Sequence, residues 1–334
     1  MRIFFDPRQL AHAPAREFHN GGFTAHAEMP LRAESIVAAL GATELPTDHG
    51  EGPILAVHDA GYVDFLKTGA ADWATAGRPG DALGYVWPVR GRRPLRFDRI
   101  DARMGQYSFD AVTPLTADAW SASYWSSQCA LSALDAVLAG DRTAFALSRP
   151  PGHHAGADYM GGYCYLNHAA IAAQAARDAG VERVAILDID YHHGNGTQDI
   201  FWKRGDVFYA SVHADPATDY PFYWGHADER GEGAGEGTTF NLPLPHGTGL
   251  AEFRAAQAQA LDAVAHFDPG LLIVSFGADT FEDDPIADFR IGTADYAMLS
   301  HDIAARGWPM VIVMEGGYAG EALGRNVASF LAGF

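Results

Sequence analysis

Short continuous apolar runs alternate along this chain with longer segments in which apolar residues recur every three or four positions. The apolar runs predict buried strands at 2–5, 54–57, 144–148, 184–189, 207–212, 271–276 and 310–314. The periodic segments predict helices at 32–40, 60–67, 120–139, 167–179, 251–267, 295–306 and 322–331. Strands that are apolar throughout and separated by helices predict an α/β fold, with a parallel sheet covered by helices on both faces.

Residues 70–118 interrupt this alternation. They are rich in Gly, Pro, Arg and Asp, and they predict a long loop with little regular structure. Loops of this length in a compact protein are usually functional or mobile. Because no linker and no internal repeat is visible, we predict a single catalytic domain over residues 1–334, with 70–118 as an insertion.

Composition narrows the classes of function. The 334 residues carry a formal net charge of −19, which argues against a nucleic-acid partner because phosphate contacts need clustered Lys and Arg. An acidic surface is compatible with steering a cationic small molecule, and equally with solubility alone. No apolar run reaches about 18 residues, so no membrane span is expected. The N-terminus lacks a signal-peptide pattern, and Cys129 and Cys164 form no C-x-x-C pair, so we expect a cytoplasmic protein with free thiols.

Polar residues of chemical interest follow five of the predicted strands. They are His153 and His154, then Asp188, Asp190 and His192, then Ser211 and His213, then Asp279, and finally Glu315 and Tyr318. In an open parallel sheet, ligands bind outside the carboxyl ends of the strands. The chain is therefore predicted to deliver these side chains to one edge of its sheet.

Asp190, His192 and Asp279 have the composition of a catalytic metal site. Asp190 and His192 are two residues apart, so on an extended segment they point to the same side. Asp279 from another strand end supplies a third ligand. Two oxygens and one nitrogen leave a position open for water, as in catalytic zinc sites. A purely structural role, as satisfied polar groups, is disfavoured by the neighbouring polar residues.

The tandem histidines His153 and His154 predict proton transfer. Two adjacent imidazoles are rarely both needed for packing, and Asp188 and Asn195 are available to fix their tautomers. A charged partner for one ring and a neutral partner for the other would make the two unequal in basicity, which suits a division between proton donor and acceptor. Tyr318 follows two glycines, and its phenol beside a metal would hold a developing oxyanion.

Together these segments resemble the zinc histone deacetylase superfamily, with a closer similarity to bacterial acetylpolyamine amidohydrolases. The motifs are Arg149-Pro-Pro-Gly-His-His-Ala155, Gly161-Gly-Tyr-Cys-Tyr-Leu-Asn167, Asp188-Ile-Asp-Tyr-His-His-Gly-Asn-Gly-Thr197, Gly277-Ala-Asp-Thr280, Glu315-Gly-Gly-Tyr318 and the early segment Val57-His-Asp-Ala-Gly-Tyr-Val-Asp-Phe-Leu66. The closer similarity includes Asn195 and the run Asp279-Thr-Phe-Glu-x-Asp-Pro285. The resemblance covers nearly the whole chain and implies the arginase/deacetylase fold.

The resemblance also implies roles. Asp190, His192 and Asp279 would bind Zn²⁺, or Fe²⁺ in vivo, for hydrolysis of an acetylated small amine. His154 would be the general base and the acid toward the leaving amine, His153 with Asp188 an electrostatic partner, and Tyr318 the group that holds the oxyanion. The substrate channel would be formed by Tyr163, Tyr220, Gly162 and Ile291.

Two potassium sites are implied as well. The inner site would use Asp188, Asp190, His192, Ser211 and Val212, partly through carbonyls, and the second site Phe201, Arg204 and Val207. Nothing in the residues alone predicts either ion.

The resemblance also implies that selectivity for polyamines depends on acidic residues at the channel mouth. Glu17 and Asp101 fall at plausible positions, whereas a second acidic position in the insertion is occupied by Val112, with Asp110 close by. By resemblance the 70–118 insertion forms a homodimer contact and restricts the channel.

The sequence is compatible with functions other than deacetylation of small amines. Binuclear manganese ureohydrolases of the same fold carry an aspartate two residues before the last ligand, where this chain has Gly277. The sequence is also compatible with a protein lysine deacetylase, a hydrolase of another small amide, and a catalytically silent binding protein.

Overall fold

The computed structural model of the chain describes residues 1–89 and 97–334. Its strands are β1 (Arg2–Phe4), β2 (Arg16–His19), β3 (Gly22–Ala25), β4 (Thr143–Ala146), β5 (Val184–Asp188), β6 (Val207–Ala214), β7 (Thr239–Leu244), β8 (Leu271–Phe276) and β9 (Met310–Met314). Its α-helices are α1 (Leu31–Leu40), α2 (Gly52–Leu55), α3 (Ala60–Thr75), α4 (Ile100–Gln106), α5 (Ala119–Leu138), α6 (His168–Asp178), α7 (Asn195–Phe201), α8 (Leu250–Phe267), α9 (Tyr296–Ala304) and α10 (Glu321–Leu331).

Seven strands form one sheet in the order β1-β4-β9-β8-β5-β6-β7, and every neighbouring pair is parallel. β5, β8 and β9 are buried along their whole length, as their continuous apolar sequences require. β2 and β3 form a separate antiparallel hairpin. The predicted α/β fold with a parallel sheet is confirmed.

Helices cover both faces because side chains alternate across each strand. In β9, Met310, Ile312 and Met314 pack on one face in a core that includes residues of α1, α8, α9 and α10. Val311 and Val313 pack on the opposite face with residues of α5 and α6. Strands from both ends of the chain share this sheet, and we infer from this that residues 1–334 form one domain. In the described part of the chain, no helix has the length and apolarity needed to cross a bilayer.

Four sequence predictions of local structure were wrong or incomplete. Residues 54–57 are not a strand: a helix spans Gly52–Leu55, with a proline in its first turn, and a short apolar run does not distinguish the two structures. The 70–118 insertion is more regular than predicted, because α3 continues to Thr75 and α4 lies inside it, burying Ile100 and Met104 at i,i+4 spacing. Residues 90–96 of that insertion lie outside the described residues. The β2–β3 hairpin and β7 were missed; β7 contains Pro243, which an edge strand tolerates.

Candidate active site

The carboxyl ends of the central strands meet as predicted. Asp188 at the end of β5 pairs in register with Ser211 of β6 and Ser275 of β8. The segments that follow these strands and β9 carry the predicted metal ligands and Tyr318. We call the strand-end set of Asp190, His192, Asp279, His153, His154 and Tyr318 the floor of the site.

Asp190, His192 and Asp279 each place one ligand atom so that the three atoms lie within 4.8 Å of one another. Both carboxylates are fully buried, and His192 is partly exposed. The Nδ1 atom of His192 is the ring nitrogen directed at the acids, 3.1 Å from Asp279 Oδ2 and 3.4 Å from Asp190 Oδ1. Two buried carboxylates and an imidazole directed at one point fit a divalent metal, because buried charges of like sign need a cation.

Backbone N–H groups orient these carboxylates. Asp190 accepts hydrogen bonds from His192 N at 2.8 Å and Gly316 N at 2.7 Å, and Asp279 accepts one from Tyr191 N at 2.9 Å. Burial opposes ionisation of Asp190, but the charge of His153 and the contact with His192 lower its pKa. Burial and the neighbouring charge of Asp190 raise the pKa of Asp279.

Gly277 lies directly against Asp190, where the structure leaves no room for a side chain. A Cβ atom at this position would lie 1.9 Å from Asp190 Oδ2. Such a contact is far shorter than van der Waals distance, so an aspartate at 277 would displace a ligand of the metal group. The geometry around Gly277 therefore disfavours a bridging carboxylate and a binuclear centre.

The tandem histidines have unequal partners, as the sequence suggested. His153 Nδ1 lies 3.1 Å from Asp188 Oδ2, and His154 Nδ1 lies 2.7 Å from Asn195 Oδ1. Because each of these oxygens is an acceptor, each Nδ1 carries the proton and directs Nε2 into the site. The two ring centroids are 4.1 Å apart.

Electrostatics separate the two rings further. Burial opposes the charged form of His153, but Asp190 and Asp188 raise its pKa to about 10. Burial lowers the pKa of His154 well below its ordinary value, and the charges of His153 and His192 act in the same direction. His153 is therefore the charged ring and His154 the neutral one, able to accept a proton at Nε2.

Tyr318 is held from its backbone and its ring. Its N–H donates to Asp284 Oδ2 at 2.7 Å. The Arg32 guanidinium lies 4.7 Å from the ring centroid and donates through Nε to Gly317 O at 2.6 Å. Burial raises the pKa of Tyr318 well above its ordinary value, so the phenol stays protonated as a hydrogen-bond donor.

The channel wall beside Tyr318 is a turn with two successive left-handed residues, Gly162 at φ 55° and Tyr163 at φ 66°. A Cβ at Gly162 would lie 2.2 Å from His154 Cδ2, so this close approach requires glycine. The Tyr163 ring centroid is 5.6 Å from that of Tyr318. Tyr220 flanks the site next to His154, with centroids 5.1 Å apart. The structure thus places Gly162, Tyr163 and Tyr220 beside His154 and Tyr318, and their contact with a substrate stays a prediction.

Asp110 supports this wall, a role that sequence reasoning did not assign. Its Oδ2 accepts from Gly162 N at 2.6 Å and from the Tyr220 hydroxyl at 2.7 Å. Nearby, Thr113 Oγ1 accepts from Tyr163 N at 2.9 Å. The insertion therefore fixes two sides of the channel, and the contacts span 50 or more residues, which no local motif signals.

The two predicted mouth acids differ in their surroundings. Asp101 accepts hydrogen bonds from Arg78 at 2.7 Å, Tyr85 at 2.9 Å and Arg99 at 3.0 Å, which lower its pKa to about 2. Glu17 of β2 is buried, and burial together with the charge of Glu17 raises the pKa of the Tyr163 phenol. Its Oε2 lies 4.0 Å from His26 Nε2, and neither atom has a hydrogen-bond partner among the described residues.

The remaining predicted residues lie as follows. Ser211 is the register partner of Asp188 on β6, Val212 follows it, and Ser211 Oγ is 2.7 Å from His213 Nδ1. Phe201 ends α7, Arg204 donates to its own chain neighbour Asp206 at 2.7 Å, and Val207 begins β6. Ile291 is fully buried in the core, where its N–H donates to Thr280 O at 3.2 Å. The potassium and substrate roles of these residues stay predictions.

Comparison with known proteins identifies the family to which the chain belongs. The histone deacetylase domain matches residues 26–334. The chain belongs to the histone deacetylase family. This confirms the resemblance drawn from the motifs, and the fold described above is the deacetylase fold.

Full-length relatives within the family are acetylpolyamine amidohydrolases. Acetylpolyamine amidohydrolase 1 of Pseudomonas aeruginosa is 47% identical over 343 residues, which cover 100% of this chain and 98% of that protein. The enzyme of Mycoplana ramosa is 44% identical, with coverage of 100% and 99%. The crystal structure of the Burkholderia pseudomallei enzyme superposes with a TM-score of 0.96 at 43% identity, covering 100% of this chain and 98% of that chain.

Proposed function

We propose that this member of the histone deacetylase family is a metal-dependent amidohydrolase that removes acetyl groups from acetylated polyamines. The full-length relatives support the reaction class. The observation that carries the polyamine assignment is the buried pair of unpartnered acceptors on Glu17 and His26 beside the channel wall.

Asp190, His192 and Asp279 would hold the metal, and we propose Zn²⁺, which carboxylate oxygen and imidazole nitrogen ligands suit. When bound there, the ion would polarise the acetyl carbonyl and acidify a water molecule. Fe²⁺, the other ion predicted from the resemblance, fits the same ligands, so metal content must be measured in protein purified without chelator.

The residues of the chain then divide the proton transfers. His154 accepts a proton at Nε2 from the attacking water, because its ring is neutral and its Nδ1 is tied to Asn195. The same nitrogen returns a proton to the departing amine. His153, charged through Asp188, balances negative charge as it develops. The protonated phenol of Tyr318 donates to the carbonyl oxygen as that oxygen becomes negative.

Glu17 and His26 supply the recognition of a second amine. The Nδ1 atom of His26 lies 3.1 Å from Glu28 O, an acceptor only, so in the neutral ring Nδ1 carries the proton and Nε2 offers a lone pair. Two acceptors 4.0 Å apart need a donor between them. An ammonium placed about 2.9 Å from each atom satisfies both, which matches the distal amine of a polyamine. The His26 ring lies next to the Tyr163 ring of the channel wall, with centroids 4.7 Å apart.

The test compares substrates that differ in the distal amine. Acetylputrescine, acetylcadaverine and acetylspermidine are measured beside neutral N-butylacetamide and an acetyl-lysine peptide. Glu17→Gln should lower kcat/KM for the polyamines between about 10- and 100-fold, because hydrogen bonds to charged groups contribute about 1.5–3 kcal/mol. The neutral amide serves as the matched control and should change little. A clear preference of the wild-type protein for the peptide would reject polyamine deacetylation in favour of protein lysine deacetylation.

Binuclear ureohydrolysis is the rival that Gly277 disfavours. Two tightly bound manganese ions per chain would overturn the single-metal proposal. A hydrolase of other small amides would favour the neutral substrate, and a silent binding protein would turn over none of the set.

We also propose a homodimer formed through the channel mouth. Exposed aromatic side chains include Phe23 of the β2–β3 hairpin at 54%, Tyr85 of the insertion at 63%, and Phe222 and Tyr223 after β6 at 54% and 77% exposure. Phe18 N donates a hydrogen bond to Ala111 O, so the β2–β3 hairpin lies directly against the insertion. Large apolar side chains that stay exposed are typical of a surface that binds another protein. Light scattering of the purified protein tests it, and a monomer at micromolar concentration would reject the proposal.

We propose potassium at the two predicted sites. Asp188, Asp190, His192, Ser211 and Val212 would hold the inner ion, partly through their carbonyls. Carbonyls of Phe201, Arg204 and Val207 would hold the second ion. Thr238 Oγ1 already donates to Arg204 O at 3.0 Å, so an ion would share that carbonyl. Activity in potassium compared with tetramethylammonium buffers tests both sites.

A further inference from the structure

Glu315 is a fully buried carboxylate at the end of β9, and the chemistry proposed above does not use it. Its Oε1 accepts from the Ser275 hydroxyl at 3.0 Å. Its Oε2 accepts from two consecutive backbone N–H groups, Gly152 at 2.7 Å and His153 at 3.1 Å. Glu315 is thus bonded to the start of the loop that carries both histidines.

The contact between Glu315 and the two N–H groups holds the histidine loop in place. Gly152 and His153 are buried, and a buried backbone N–H needs an acceptor. The loop also runs directly into His154, the proposed base. A loop in which two consecutive N–H groups share one acceptor oxygen is fixed in position relative to that oxygen.

The main chain of Glu315 leads to the other half of the site. Gly316 N donates to Asp190 Oδ2 at 2.7 Å, and Gly316 O accepts from Ala278 N at 2.9 Å. Tyr318 follows two residues later. One four-residue segment therefore contacts the histidine loop through a side chain, contacts a metal-group carboxylate through its backbone, and supplies the phenol.

We propose that Glu315 is a positioning residue that sets the tandem histidines against Tyr318 and the metal group. The proposal rests on the amidohydrolase function proposed above. The side chain of Glu315 positions the loop through its acceptor oxygen and not through its charge. Burial raises the pKa of Glu315 to about 7, so the carboxyl is not held firmly ionised, while either form retains an oxygen for the two N–H groups.

Three substitutions separate these properties. Glu315→Gln keeps an acceptor for Gly152 and His153 and directs its NH₂ at Ser275 Oγ. Glu315→Ala removes the acceptor, and Ser275→Ala, the matched control, removes only the other contact. Misplaced catalytic groups cost about 10- to 100-fold in rate, so Glu315→Ala should lower kcat by about that factor with KM changed less than about threefold. Glu315→Gln and Ser275→Ala should stay within about fivefold of the wild-type kcat.

A wild-type kcat in Glu315→Ala would overturn the proposal, as would a loss in Glu315→Gln equal to that in Glu315→Ala. If Glu315→Ala does not fold, Glu315→Asp replaces it, because the shorter acid keeps the charge but not the reach. Glu315→Asp more active than Glu315→Gln would then overturn it.

Crystal structures of the variants give a readout apart from activity. We expect the rings of His153 and His154 to shift in Glu315→Ala and to return in Glu315→Gln, and unchanged rings in Glu315→Ala would contradict the proposal. A wild-type protein that hydrolyses no acetylated amine would reject the proposed function, while the crystal structures would still decide the positioning role.

Discussion

The floor and the mouth of the channel hold their acids in different ways. On the floor, Asp190 and Asp279 accept hydrogen bonds from backbone N–H groups at adjoining strand ends. At the mouth, formed by the β2–β3 hairpin and the 70–118 insertion, the acids meet side chains. Asp101 is surrounded by two arginines and a tyrosine, whereas Glu17 keeps a buried oxygen without a partner among the described residues.

This difference indicates how each region works. A carboxylate oriented by backbone N–H groups keeps its position whatever substrate enters, so the floor should determine the rate of the chemical step. An acid at the mouth is useful for recognition only if its charge is not already neutralised. Ion pairing, and not the presence of an acidic residue, therefore separates Glu17 from Asp101.

The largest expected effect is on the floor. His154→Ala and Tyr318→Phe should each lower kcat by at least about 100-fold, because one removes the proton acceptor and the other a donor to the developing oxyanion. The loss should be the same for acetylputrescine and for neutral N-butylacetamide. Steady-state kinetics with metal analysis of each variant checks this. Near-wild-type rates in both variants, with metal retained, would refute the assigned roles.

The floor could be predicted from the sequence because its chemistry is local. Asp188, Asp190 and His192 lie within five residues, and each group of polar residues follows a strand that its apolar run makes recognisable. Parallel pairing then brings the strand ends together. Even the unequal partners of His153 and His154 followed from residues at a neighbouring strand end.

The mouth could not be predicted in the same way, because its contacts join distant segments. Asp110 meets Gly162 across 52 residues and Tyr220 across 110. Arg78, one of the two arginines that pair with Asp101, lies 23 residues away, in a stretch whose composition predicted only a loop. Such pairings depend on how the insertion folds back over the channel, which periodicity does not report.

Asp110 of the insertion could affect catalysis by holding the channel wall in place or by attracting a cationic substrate. Asp110→Ala removes the acceptor shared by Gly162 N and the Tyr220 hydroxyl, and it should lower kcat/KM about tenfold because the wall beside His154 is displaced. The loss should be equal for cationic and neutral acetyl amides. Asp110→Asn, which keeps one acceptor oxygen, is the matched control and should lose less. A loss confined to the cationic substrates would instead show that Asp110 recognises the substrate and does not only position the wall.

The smallest expected effect belongs to Asp101, and it is the most direct test of the comparison. Asp101→Asn leaves Arg78 and Arg99 without their carboxylate, so the mouth becomes more positive. The side chains of both arginines reach solvent, with exposures of 34% and 74%, and solvent screens the added charge. We therefore expect kcat/KM for acetylspermidine to fall by no more than about threefold, and that for neutral N-butylacetamide to stay constant. Glu17→Gln, measured in the same series, should lose at least about tenfold on acetylspermidine. Equal losses in the two variants would contradict this view. They would mean that the substrate amine displaces the arginines from Asp101, so that an ion-paired acid at the mouth still takes part in recognition.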